Sequence, residues 1–412
     1  MRVGVVGAGI SGLVCARRLL DLAGMKKQSL KVSVFEWGRG PGGRTARRRV
    51  QILREEGGEH STDEVSFDHA APYFSARTAE FREGLLAQWE ARGLCSRWAA
   101  TAAAATAAAA DCDDEEEELW VGRPSNHAIA TGLVADVEAA GGEMYFGHHV
   151  RAVAYDDEES AWRVRATSRA EGAEKLLSFD ALVLSDKLLI LPNTYAVLDP
   201  ESWGEELSKV PADLSSRGAV VLLAAFAQPG KSPPSPTPTP LRRFAPGEHA
   251  FLERIIHDSS KPGRGDSSGY DLWVAHSTSE YAQSHLVGEQ LDDAEAVKEE
   301  MTQALLEAID ADYDNDGASA ACDATSQQEG PSRRELVHSS IMAWDHSQPD
   351  DGNRLAVPHL FEARRRVGAC GDFLQGGGQA EGVEAAALSG LSLAEALGGV
   401  LLFDSSHSKK DQ

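Results

Sequence analysis

The sequence predicts an α/β fold whose N-terminal unit is a Rossmann-like strand, glycine turn and helix. Three observations carry that prediction. The run Val3-Gly4-Val5-Val6-Gly7-Ala8-Gly9-Ile10-Ser11-Gly12 opens the chain, Glu36 closes a second apolar strand, and helix and strand patterns alternate along much of the 412 residues. Glycine pairs at this spacing also arise by chance in a chain with 39 glycines, so the surrounding pattern decides.

Residues 2–6 are short, β-branched and apolar, which suits the buried first strand of a parallel sheet. Gly7 permits a tight turn, Gly9 lets the backbone approach a pyrophosphate, and Gly12 lets the next helix pack on the strand. Residues 13–23 read as that helix, so the N–H groups at its start, around Ile10 and Ser11, face the phosphates with the positive end of the helix dipole. Residues 31–35 form the next strand and deliver Glu36 about 24 residues beyond Gly12, close to the gap of about 20 in dinucleotide-binding units. A carboxylate there accepts ribose hydroxyls and repels the 2′-phosphate of NADP.

A second glycine cluster follows, Gly38-Arg39-Gly40-Pro41-Gly42-Gly43-Arg44. A plain NAD site has no need of it, and it points to FAD. Gly42 and Gly43 let backbone approach the diphosphate or the flavin, and Arg44 supplies a planar, permanently charged fork for phosphate oxygens. Arg47, Arg48 and Arg49 read as a basic surface loop. Near the C-terminus, Val367-Gly368-Ala369-Cys370-Gly371-Asp372-Phe373 reads as a short strand ending on a carboxylate, placed to meet ribityl hydroxyls or backbone near the diphosphate. Glycines at 376–378 lead to another helix start at Gly382, followed by Val383 and Glu384.

The stretch Phe35-Glu36-Trp37-Gly38-Arg39-Gly40-Pro41-Gly42-Gly43-Arg44 resembles the N-terminal signature of the flavin-dependent amine oxidase superfamily, and its renalase-like branch in particular. Phe67-Asp68-His69-Ala70-Ala71-Pro72-Tyr73-Phe74, Trp120-Val121-Gly122-Arg123-Pro124-Ser125, Leu272-Trp273-Val274-Ala275-His276 and Met342-Ala343-Trp344 are similar to further blocks of that branch. The resemblance implies a glutathione-reductase-type, FAD-binding Rossmann-like domain with an interleaved antiparallel-sheet substrate domain. The expected division gives residues 1–68, 124–187 and 364–402 to the FAD domain, and 69–123 and 188–363 to the substrate domain. The resemblance also implies that Val150 contacts the adenine through its backbone, and that the helix from Gly382 points its N–H groups at the flavin edge where charge accumulates on reduction. The strand Leu182-Val183-Leu184 returns the chain beneath the flavin, and residues 219–226 begin the substrate-domain sheet.

The implied activity is that of an oxidase. Hydride passes from a small substrate, for renalases a dihydronicotinamide isomer, to flavin N5, with molecular oxygen as acceptor and hydrogen peroxide as product. Candidate substrate contacts are Tyr73, His276 and Trp344, with Trp273 and His69 weaker. Tyr73 lies in the segment matching the family's active-site strand. A histidine on an alternating strand is more often structural than a proton shuttle, and isolated tryptophans are more often core. Ala70 and Pro72 stand where the branch usually has glycine and glutamine, so one polar group near the flavin is lost, and Pro72 offers no backbone donor. The alternatives are an amine oxidase or carotenoid-type desaturase and, from another class, a non-catalytic escort protein on the same fold.

Composition fits a two-domain globular chain, with 42% hydrophobic residues. A net charge of −24 opposes nucleic acid or an anionic membrane as partner. Five cysteines without a CxxC pair suggest a reducing compartment and no disulfide framework. Cys370 reads as a buried thiol and the FAD as non-covalent. No metal site is expected, since the acidic run beginning at Asp312 has no glutamate at the twelfth position of a calcium loop. No stretch approaches the roughly 20 apolar residues of a membrane span, and the glycine motif begins directly after Met1, so a cytoplasmic protein is expected. Residues 99–118, 231–240 and 311–332 read as low-complexity inserts and 403–412 as a tail. Helices are expected at 131–140 and 292–309, and strands at 143–150, 153–155, 162–167 and 176–184.

Overall fold

The computed structural model describes residues 1–56, 59–100, 118–191, 216–228, 239–264, 269–288, 290–315, 335–349, 354–374 and 380–403, with residues 202, 210 and 214. Most of the three expected inserts, the tail beyond residue 403, the glycines at 376–378, Cys112 and Cys322 lie outside the described residues.

The predicted α/β architecture is present. A six-stranded sheet runs in the order Leu360–Glu362, Val367–Ala369, Ala181–Leu184, Arg2–Val6, Lys31–Glu36, Glu143–Phe146. Every pairing is parallel except that of the edge strand Leu360–Glu362. The central strands are apolar on both faces because both faces are covered. Val3 and Val5 pack with the helices Ile10–Met25, His127–Ala139 and Gly382–Phe403. Val6, Phe35 and Leu182 turn to the other face, where the antiparallel strands His148–Asp156, Ala161–Ser168 and Glu174–Phe179 contribute Val150, Trp162 and Phe179. The last helix lies tightly on the first: a Cβ on Gly390 would fall 2.2 Å from the Ser11 carbonyl oxygen.

The second sheet is antiparallel, in the order Leu241–Arg243, Leu252–His257, Tyr270–Ser277, Ser216–Ala227, Leu336–Pro349. Alternate residues serve two cores. Val221, Leu223 and Val274 meet the hairpin formed by Arg47–Glu56 and Glu59–Asp68, through Val50, Ile52 and Phe67. Val220, Leu222 and Trp273 meet the helices Ser279–His285 and Ala294–Asn315.

Four elements differ from expectation, the first being Arg47, Arg48 and Arg49, expected in a surface loop, which instead begin the hairpin strand Arg47–Glu56. The apolar run 176–184 is divided between two sheets, with one strand ending at Phe179 and the next beginning at Ala181. Gly147, at φ 66°, separates Glu143–Phe146 from His148–Asp156. The helix from Ala294 runs to Asn315, past the expected end at 309, because neither Gly nor Pro interrupts that stretch.

Candidate functional site

The first helix starts at Ile10, and Leu13 N–H is the first to find an intrahelical acceptor, the Gly9 carbonyl at 3.0 Å. The N–H groups before it are therefore left for a ligand. A Cβ on Gly12 would lie 2.3 Å from the Gly7 carbonyl oxygen, so no side chain fits there, whereas one on Gly9 would meet no protein atom within 4 Å. Gly7 N–H is tied to Phe35 O at 2.8 Å, and Gly42 N–H to Ala8 O at 2.9 Å. The second bond joins the two glycine clusters, and Gly42 at φ 116° makes the turn that permits it. Gly9, Ile10, Ser11, Gly42, Gly43 and Arg44 line one cavity of about 470 Å³.

The C-terminal block closes the same cavity, which Gly371, Asp372, Gly382 and Val383 also line. Two helix N-termini, far apart in sequence, thus open on one space. Gly371 N–H is held by Ser389 Oγ at 3.1 Å.

Several expected contacts fall elsewhere. The Arg44 fork is occupied by Asp372, with Nη1 to Oδ2 at 2.7 Å and Nη2 to Oδ1 at 2.5 Å, and Nη1 also donates to the Ser347 carbonyl. Burial penalises this guanidinium, yet Asp372 and Asp186 hold its pKa above the ordinary value. Glu36 accepts from Ala8 N–H at 2.9 Å and Gly38 N–H at 2.6 Å and so braces the glycine turn. Glu384 does not line the cavity; fully buried, it accepts from Arg77 N–H, Thr78 N–H and Thr78 Oγ1 at 2.6 to 2.9 Å. Val150 pairs with Ala166 inside the sheet core, away from the cavity wall.

Of the three substrate candidates, the cavity wall contains only Tyr73. Its Oη accepts from Arg243 Nε at 3.3 Å and Arg254 Nη1 at 3.1 Å. Burial alone would raise the phenol pKa, and the two guanidiniums outweigh it and lower it. His276 lines a second cavity of about 590 Å³, which shares Arg217, Phe244, Glu253, Arg254 and Ser347 with the first. Its Nε2 lies 2.8 Å from the His69 carbonyl, which can only accept, so that nitrogen carries the proton. Burial, then Arg254, push its pKa well below the usual histidine range, which favours the neutral ring. Trp344 lines neither cavity; it packs in the apolar cluster with Tyr73 and Met342, its ring 5.3 Å from His69. Trp273 is wholly buried and donates Nε1 to Asp271 at 2.9 Å. Ala70 and Pro72 line the first cavity.

Sequence reasoning missed Asp186, Arg217, Arg243 and Arg254, all on the wall. Asp186 follows a buried strand that ends beneath the cavity, a signal the sequence did carry; burial raises its pKa against the pull of Arg44. The arginines stand on strands of the second sheet and carry no local motif.

Cys15, Cys95 and Cys370 are buried free thiols, and the hydrogen bond to Cys370, with burial, pushes the Cys15 thiol up. Among the described residues no group of three or more His, Cys, Asp or Glu is placed to hold a metal ion. One stretch corrects the membrane expectation: Gly382–Leu402 is long and apolar enough to span a bilayer. It is 61% buried within the protein, as befits a core helix.

Residues 5–88 match the family of NAD(P)-binding Rossmann-like domains. No curated protein matches the chain. Among solved structures, an oxidoreductase from Methanosarcina mazei is similar, at 14% identity and a TM-score of 0.51, over 96% of this chain and 100% of that one. A candidate protoporphyrinogen oxidase from Exiguobacterium sp. 255-15 is similar at 11% identity and a TM-score of 0.52, over 96% and 98%. These likenesses establish the Rossmann-like fold with its mixed sheets.

Proposed function

We propose that the chain is an FAD-dependent oxidoreductase of renalase-like type, holding the cofactor non-covalently. The observation that carries this reading is the convergence of the helix N-termini at Ile10 and Gly382 on one cavity, with the joined glycine clusters between them. The fit is steric as well as electrostatic. The space beside Gly9 is filled by no protein atom, and the N–H groups around Ile10 and Ser11 suit the diphosphate. Glu36 stands at the turn where ribose hydroxyls would bind. Asp372 and Asp186, on the cavity wall, would meet the ribityl chain, and Gly382 and Val383 the pyrimidine edge. Among the described residues of this wall there is neither cysteine nor histidine to form a covalent bond to the flavin.

When bound, FAD supplies a hydride acceptor at N5 that molecular oxygen reoxidises to give hydrogen peroxide. The protein's part is to orient a small donor and exclude water. Tyr73 Oη uses both lone pairs on arginines, so its single O–H is left to donate to substrate. The arginine-bearing wall disfavours a cationic amine and an apolar polyene alike. A cytoplasmic setting suits such a reaction.

The test is a visible spectrum of gently purified protein, then anaerobic addition of dihydronicotinamide isomers and of amines. Flavin absorption that bleaches with the isomers is the expected result. Bleaching by amines alone would replace renalase-like chemistry with amine oxidation. A colourless protein unable to bind added FAD would point to an escort role.

A further inference from the structure

The second cavity is walled in part by His249 and His276, whose hydrogen-bonding duties are fixed by backbone groups. His276 stands on the central strand Tyr270–Ser277 of the antiparallel sheet, paired with Val221 on one side and Arg254 on the other, so these side chains share the face that meets the hairpin. Its ring is only 1% exposed. Because Nε2–H is spent on the His69 carbonyl, Nδ1 is left as a bare acceptor with no partner among the described residues, on a ring that lines the cavity. A buried acceptor without a donor costs free energy until a ligand or a water supplies one.

His249 shows the reverse arrangement. It lies between the strands Leu241–Arg243 and Leu252–His257, and its Nδ1 accepts the backbone N–H groups of Phe251 at 3.2 Å and Leu252 at 3.0 Å. A nitrogen that accepts carries no proton, so Nε2 carries it and is a donor. Burial, then Arg242, lower the His249 pKa, as burial, then Arg254, lower that of His276, and both rings favour the neutral form.

The formal charges on this wall balance. Among the described residues its acids are Glu253 and Glu280 and its bases Arg217 and Arg254, and Glu253 lies 2.9 Å from Arg254. A charged ligand finds no excess of the opposite sign there, whereas an uncharged group with one donor and one acceptor satisfies both imidazoles.

We propose that the second cavity binds an uncharged amide-type group of the substrate, a carboxamide or a lactam, whose N–H donates to His276 Nδ1 and whose carbonyl accepts from His249 Nε2. This rests on the flavin reading, since the amide anchors a donor whose reacting carbon reaches the first cavity past Phe244 and Arg254, which both cavities share. A buried site of this kind rejects analogues without the N–H, because His276 then stays unpaired.

The experiment records the FAD content of the full-length protein, then titrates the FAD-loaded form by calorimetry with benzamide, with acetophenone, which has the carbonyl without the N–H, and with charged benzoate. Benzamide should bind about tenfold or more tightly than either analogue. Each of two variants removes the ligand's partner and keeps the structural bond. In His276→Gln the side-chain N–H can still donate to the His69 carbonyl, and in His249→Asn the side-chain oxygen can still accept from Phe251 and Leu252 N–H. Each should weaken benzamide binding about tenfold or more, with FAD content unchanged. Melting curves report folding; if one variant does not fold the other decides, and if neither does, nitrogen NMR of histidine-labelled wild-type protein decides, since benzamide should move the His276 Nδ1 resonance. Equal binding in wild type and folded variants, no preference over the analogues, or an unmoved resonance, as for a cavity holding water alone, overturns the site. A protein that cannot be loaded with FAD sinks the flavin reading instead, and the same titration of that protein still decides the cavity.

Discussion

His69 is only 5% exposed, with its carbonyl holding His276 in one tautomer. Burial, then the nearby Arg48, lower its pKa from 6.5 to about 4. Because the folded value lies below the unfolded one, the unfolded chain binds the extra proton as pH falls. Stability is therefore greatest above pH 6.5 and declines until about pH 4, by roughly 3 kcal/mol from this residue. Urea unfolding between those limits should show the loss, with a shallower slope for His69→Gln; equal slopes would mean that His69 titrates freely in the fold. The sequence offered both histidines as candidates near the substrate, with His69 the weaker. What decides is a bond spanning 207 residues, which no local pattern records.

The strand, glycine turn and helix at the N-terminus show how an element can be read in advance. Gly12 is forced by the protein itself, since its Cβ would meet the Gly7 carbonyl, while Gly9 faces open space. The two glycines consequently predict opposite phenotypes. Gly12→Ala should cost about 1–3 kcal/mol in unfolding experiments through overpacking. Gly9→Ala should leave the melting temperature of the apoprotein unchanged and weaken FAD binding about tenfold or more, because the new methyl enters ligand space. Retained FAD affinity in Gly9→Ala, measured by flavin fluorescence, would remove Gly9 from the site. The start of the last helix at Gly382 was equally legible, but the duty of Glu384 was not. Its carboxylate fastens the backbone at Arg77 and Thr78, a segment that comes alongside only in the folded chain.

At the scale of the whole molecule, the two halves are tied by a buried ionic knot. Asp258 accepts from Lys261 Nζ and Arg264 Nη1, both at 2.5 Å, and Arg264 also binds Asp68 at the end of the hairpin. Asp68 in turn accepts the Asn126 N–H, just before the helix His127–Ala139. Lys261 and Asp258 are wholly shielded from solvent, so removing one charge leaves the others unpaired in a poor dielectric. Asp258→Asn should lower stability by about 3–5 kcal/mol; a loss under about 1 kcal/mol in denaturant titration would show that the knot is dispensable. The partners Arg264 and Asp68 are 196 residues apart. By itself the sequence determined the Rossmann-like unit, the second glycine turn and the C-terminal helix start, because glycine spacing and apolar runs encode local backbone geometry directly. Only the tertiary structure decided that Arg44 is held by Asp372, that Trp344 is packing, and that three arginines face one cavity. Those facts depend on which strands become neighbours, and neighbours in a sheet are set by burial and register across the whole chain.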